Sequence, residues 1–118
     1  MKIAFTAAGT DLTAPLDDRF GRAAGFLLYD LETGAAEAIG NEQSLTAAHG
    51  AGIQAAETVA RAGAGALVTR HCGPKAFRVL TAAGITVFNT DAPTVAEALE
   101  HYQAGRLQPA TAADVEGS

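Results

Sequence analysis

The chain carries a single cysteine, Cys72, which rules out an internal disulfide and points to a reducing, cytoplasmic setting. It also lacks CxxC, HxxxH and any paired cysteines, so a self-contained tetrahedral zinc site or a covalently ligated iron–sulfur cubane is disfavoured. Tryptophan is absent and aromatics are few, so the core must be built largely from small aliphatic residues that let helices and sheet approach closely. No apolar run approaches the roughly 20 residues that cross a bilayer. The first residues enter a strand, Lys2-Ile3-Ala4-Phe5, with no signal-peptide layout. Basic residues are scarce, eight against 13 acidic ones for a net charge of −5, and they are scattered rather than striped. Nucleic acid and membrane are therefore disfavoured as partners. A Gly-x4-Gly-Lys-Ser/Thr phosphate loop is missing too, and Gly73-Pro74-Lys75 resembles one only superficially.

What is present reads as one α/β domain over residues 1–107, with an Ala/Thr/Asp/Gly-rich tail over 108–118 that shows no apolar period and is expected to be loose. Strands are predicted at 2–6, 26–31, 35–39, 65–69 and 85–88. The short connection Glu32-Thr33-Gly34 marks the second and third as an antiparallel hairpin. A helix is predicted from about Gly50 to Ala62, with Ile53, Ala56 and Ala60 on its inner face. Another runs over 74–83, with Pro74 in its first turn and Gly84 as its stop. Thr94-Val95-Ala96-Glu97 is a capping box opening the last helix, and Gly105 closes it. The order implies a mixed sheet of about five strands flanked by three helices, with parallel crossovers in its second half. Ligands on such sheets collect outside the carboxyl ends of the parallel strands. Three connections lie there: residues 6–25, 70–73 and 89–91.

The turn Arg70-His71-Cys72-Gly73 joins a strand to a helix that starts at Pro74-Lys75, so it faces unpaired N–H groups and the positive end of a helix dipole. A soft thiol, an imidazole and flanking cations in that turn suit an anionic, sulfur-rich ligand; the plainer alternative is a tight loop with a half-buried cysteine. The long 6–25 connection holds Asp17-Asp18-Arg19-Phe20-Gly21-Arg22. Its arginines offer fixed donors, Gly21 offers backbone freedom, and Phe20 could wall off water. Alternatively Arg19 pairs with Asp17 or Asp18 at the surface, where such pairs contribute little. His49-Gly50 repeats the theme of a glycine-lined helix start, with His49 as anion donor, metal ligand or mere cap. His101 reads as a solvated helix residue. Cys72 beside His71 also admits a thiol enzyme, but no third group is placed to orient a base. Metal-dependent nucleases need carboxylates converging from strand ends, and these strands carry almost none.

Three segments, Phe20-Gly21-Arg22-Ala23, His49-Gly50-Ala51-Gly52-Ile53-Gln54-Ala55-Ala56 and Gly73-Pro74-Lys75-Ala76-Phe77, resemble successive motifs of the dinitrogenase iron–molybdenum cofactor family. That family includes NifX-like carriers and the carboxy-terminal part of NifB-like proteins. Order and spacing match over about residues 1–107, including the closing Thr94–Leu99 helix. The resemblance implies a ribonuclease H-like fold and non-catalytic carriage of a molybdenum-containing metal–sulfur cluster. For a protein of this size it implies two tetrathiomolybdate units bridged by copper, or else a precursor of the iron–molybdenum cofactor. Arg19, Phe20, Gly21, Arg22, His49, Gly50, Arg70, His71, Cys72, Gly73 and Lys75 are the residues expected to hold it. His71, Cys72 and His49 are the metal contacts, made directly or through a neighbour. Partner proteins in an assembly or regulatory complex are implied as well, and a cofactor-free interaction module is the competing reading. One departure from the family pattern is Arg70, where glycine is common; it adds a cation to the turn.

Overall fold

The computed structural model describes residues 1–41 and 50–111, and these form five strands and three helices. The strands are β1 (Lys2–Ala7), β2 (Gly25–Asp30), β3 (Ala36–Gly40), β4 (Ala64–Thr69) and β5 (Thr86–Asn89). The helices are α1 (Ala51–Arg61), α2 (Pro74–Ala82) and α3 (Val95–Gln103). The sheet order is β3-β2-β1-β4-β5. β1, β2 and β3 pair antiparallel, while β1, β4 and β5 run parallel, so the sheet is mixed as expected. Gly34 takes φ +75° in the β2–β3 turn, where the Asp30 carboxylate accepts the N–H groups of Glu32 and Thr33. Those bonds, Glu32's first, hold the Asp30 carboxyl below its ordinary range.

Side chains of a strand alternate between faces, and the core divides accordingly. Ala4, Phe26, Leu28, Leu67 and Val87 pack with α1 and α2 on one face. Ile3, Phe5, Leu27, Ala66 and Val68 pack with Val95, Ala98 and Leu99 of α3 on the other. The inner face of α1 is turned from the one predicted. Ala51, Gly52, Ala55, Ala56 and Val59 are buried, whereas Ile53 and Ala60 are only half-buried. The small residues win the sheet-facing positions because they allow the closest approach, and the larger Ile53 is left at the margin.

The long 6–25 connection is pinned along its length. Asp17 N–H donates to Thr6 O (3.1 Å) and Ala8 N–H to Pro15 O (2.9 Å). At the start of α3, the Val95 and Ala96 N–H groups donate to Ala14 O (3.0 Å) and Leu12 O (2.8 Å). Thr94 Oγ1 accepts the Glu97 N–H (3.3 Å), as the capping box requires. The N-terminus of α3 is thus satisfied by protein, whereas the N-caps of α1 and α2 are Gly50 and Gly73, which have no side chain to cap with. On the outer edge of β5, Ala110 N–H donates to Val87 O (2.7 Å) and Pro109 bridges Phe88. The first residues of the segment read as a loose tail are therefore tied to the sheet, covering an edge that would otherwise be open.

Candidate functional site

The parallel strands β1 and β4 end side by side in two threonines. Thr6 Oγ1 donates to Thr69 Oγ1 (3.1 Å), and both side chains are fully buried. The Thr69 hydroxyl points on to the carbonyl of His71 (3.5 Å), which also accepts the Phe20 N–H (3.1 Å). Asn89 Nδ2 donates to the Arg70 carbonyl (3.4 Å), and Thr90 N–H donates to Thr69 O (3.0 Å). Both carbonyls at the head of the turn are thereby occupied from β1, β4, the loop and β5 together. The turn is fixed as a unit, and no residue other than glycine has positive φ among the described residues. Arg70 accordingly sits in the turn without the backbone strain that glycine would relieve.

The same contacts draw the 17–25 loop onto the turn. Arg19 and His71 form a parallel bridge, and Asp17 Oδ2 accepts the Ala24 N–H (2.8 Å). Asp18 Oδ1 meets Arg70 Nε at 3.5 Å. Both aspartates weighed as surface partners of Arg19 therefore have other assignments. Among the described residues, Arg19, Arg22 and Lys75 take part in no ion pair, and all three are exposed. Arg19 is set beside the turn by its bridge to His71, and Lys75 stands in the first turn of α2.

Two expected contacts are placed differently. The Phe20 ring is fully buried and lies 5.3 Å from the Phe26 ring at a 41° tilt, inside the core shared with α1 and α2. Its ring therefore anchors the loop to the core. Gly21 beside it is buried as well. Cys72 is also buried, among Ala55, Ala56, Ala76 and Leu80, with its Sγ 3.7 Å from Gly73 O. Gly73 is buried at the start of α2 and Gly50 opens α1 at φ +75°, half-buried. His71 is exposed, and His49 lies outside the described residues. Among the described residues, no group of three or more His, Cys, Asp or Glu side chains converges as a metal site. The groups on offer are cations and N–H donors, which suit an anionic ligand held by hydrogen bonds and charge.

The burial of Cys72 leads to a specific expectation. Cys72→Ser should cost about 1–3 kcal/mol of stability, because a hydroxyl replaces a thiol in an apolar site. Cys72→Ala should cost little. Metal retained by both variants, measured by elemental analysis after desalting, is the expected result. Complete loss in both would show that the thiolate ligates metal and that the turn opens to expose it.

At this end of the sheet the sequence reading leaves His101 and Arg106 outside the site. An open cleft of about 520 Å³ lies beyond the ends of β4 and β5, bordered by Arg70, His71, Asn89, Asp91, His101 and Arg106. His101 is half-buried on this cleft rather than solvated on an outer helix face. The carboxyl-end rule had already singled out 70–73 and 89–91. What was missing was the placement of the end of α3 beside them.

A mixed sheet of this order, flanked by helices on both faces, defines a small α/β domain. Residues 1–105 match the family described as dinitrogenase iron-molybdenum cofactor, and the chain belongs to that family. In three dimensions it is similar to the apo form of the orange protein of Desulfovibrio gigas, with 45% sequence identity and a TM-score of 0.94, covering 97% of this chain and 96% of that one. A Thermotoga protein named for NifB shares 34% identity with a TM-score of 0.85 over 98% of both chains. An uncharacterized protein of Methanocaldococcus jannaschii is 27% identical over 95 residues, 79% of this chain and 80% of its own length.

Proposed function

We propose that the protein is a non-catalytic carrier of a molybdenum-containing metal–sulfur cluster. The preferred cargo is two tetrathiomolybdate units bridged by copper. The observation that carries this reading is the Phe20 N–H to His71 O bond, which fixes the Arg19–Arg22 loop against the Arg70–Lys75 turn. Arg19 from the loop and Lys75 from the start of α2, both exposed and in no ion pair among the described residues, thereby flank one strand-to-helix turn. Family membership and the 45% identity to the orange protein support the same direction. A sulfur-covered anion is weakly hydrated, and guanidinium groups are weakly hydrated cations, so their pairing loses little solvation. Reversible delivery is served by such contacts, because salt, competition or a partner protein can release the cargo without breaking a covalent bond. Cys72 and His71 remain as soft anchors should the turn open. A precursor of the iron–molybdenum cofactor is the second cargo this family membership supports, and the donor partner would then be a cofactor-assembly protein.

The test is reconstitution. Apo-protein mixed with tetrathiomolybdate and copper, then desalted, should keep visible absorption and a molybdenum-to-copper ratio of about two, the ratio of the bridged cluster. Arg19→Ala with Arg22→Ala should weaken retention and flatten its dependence on salt, because exposed charges interact through a screening length of only about 8 Å at physiological ionic strength. Unchanged retention and salt dependence in that double variant would remove the loop from the site. A colourless, metal-free wild-type protein would sink the molybdenum–copper reading.

A further inference from the structure

We infer that the cargo rests in the cleft beside α3, and that His101 and Arg106 are cargo-binding residues; this deepens the carrier reading and rests on it. Three independent observations point there. The first is where the turn sends its groups. Cys72 faces the core shared with α1 and α2, whereas Arg70 and His71 border the cleft on the opposite, α3 side. A ligand in the cleft therefore reaches Arg70 and His71 from solvent.

The second is how α3 ends. Gly105 adopts φ +72°, its N–H donates to Tyr102 O (3.1 Å), and Arg106 N–H donates to His101 O (2.9 Å). This paired closure is the Schellman arrangement, which needs a left-handed residue at Gly105. It fixes the Arg106 backbone against the last turn that carries His101, so two nitrogen-bearing side chains are set on one wall. Neither takes part in an ion pair among the described residues. Asn89 and Arg70 supply the facing wall, already joined by the Asn89 Nδ2 to Arg70 O bond.

The third is size and charge. A volume of about 520 Å³ lies within the range of roughly 300–1,000 Å³ typical of small-molecule sites. It exceeds the needs of one tetrahedral anion and suits two such units joined through a metal. Two guanidinium groups face one carboxylate, Asp91, and Asp18 engages Arg70 from the loop side. The balance remains cationic, and Leu107 adds an apolar patch suited to a sulfur surface.

The experiment is equilibrium titration of the full chain with copper and tetrathiomolybdate, read by visible absorption and by metal content after dialysis. It compares wild type, His101→Ala with Arg106→Ala, and Arg78→Ala. Arg78 is an exposed α2 residue that does not border the cleft, so its loss removes a like charge elsewhere. The double variant should bind at least ~10-fold more weakly, as loss of charge-assisted donors implies, while Arg78→Ala stays within about twofold of wild type. Matching melting temperatures would establish that both variants fold. Equal affinity of the double variant and wild type would overturn the cleft assignment and leave the carrier reading standing. Equal weakening in Arg78→Ala would reduce the effect to net charge and also overturn it. A wild-type protein that takes up neither metal would remove the carrier reading and this assignment with it.

Discussion

Replacing Phe20 by alanine is expected to cost about 3–5 kcal/mol of folding stability, the usual range for a buried aromatic truncated to a methyl. The ring is fully buried, and its contact with Phe26 at 5.3 Å adds an aromatic pair to the burial. Natural domains are stable by only about 5–15 kcal/mol, so the variant should sit near the edge of folding. The consequence for function follows from position. Phe20 N–H holds the His71 carbonyl, and the ring below it is what keeps that N–H in place. Losing the ring should free Arg19 and Arg22 from the turn and weaken cargo capture beyond what their removal does. Phe20→Leu separates the two effects, since it keeps a smaller apolar anchor and should cost less than the alanine change. Urea unfolding checks the stability and metal retention checks the site. A Phe20→Ala protein within 1 kcal/mol of wild type would mean that the loop is held by its backbone bonds alone.

The elements that the sequence made legible are those with strong local punctuation. Gly34 announced the hairpin, Pro74 the start of α2, Thr94 and Glu97 the cap of α3, and Gly105 its end, and each stands where expected. The carboxyl-end rule then located the 70–73 turn and the 89–91 loop. The remainder depended on long-range packing, which no local pattern encodes. A phenylalanine between two arginines reads equally well as pocket wall or as anchor; its burial against Phe26 supplies the anchor. Cys72 reads as a ligand from its neighbours and as a core residue from the helices that cover it. His101 reads as solvated because the sequence puts it on a helix face that looks open to solvent. The cleft it borders arises only when β5 and the end of α3 are brought together. The inner face of α1 was misjudged for a related reason: alanine-rich helices have several nearly equivalent apolar stripes, and the sheet selects the one that packs closest.

Arg70→Ala is expected to reduce cargo affinity by about 10- to 100-fold, the loss that one or two hydrogen bonds to a charged group represent. The same change should barely move stability. The Arg70–Asp18 pair is long at 3.5 Å, and its carboxylate is 85% exposed. Pairs of that kind contribute between about 0 and 1 kcal/mol. The Asn89 bond to this residue goes to its backbone carbonyl and survives truncation of the side chain. The turn should therefore keep its shape while losing a cation that touches both the 17–25 loop, through Asp18, and the α3 cleft. Arg70→Lys provides the discriminating comparison, because it restores the charge but not the rigid, weakly hydrated fork of donors. If charge alone holds the cargo, lysine should recover most of the affinity and the salt dependence of wild type. If directed hydrogen bonds to sulfur matter, lysine should restore the salt slope while leaving affinity well below wild type. Full affinity in Arg70→Ala would show that neither cleft nor turn holds the cargo through this residue, and the cations of the loop would have to bind it without the turn.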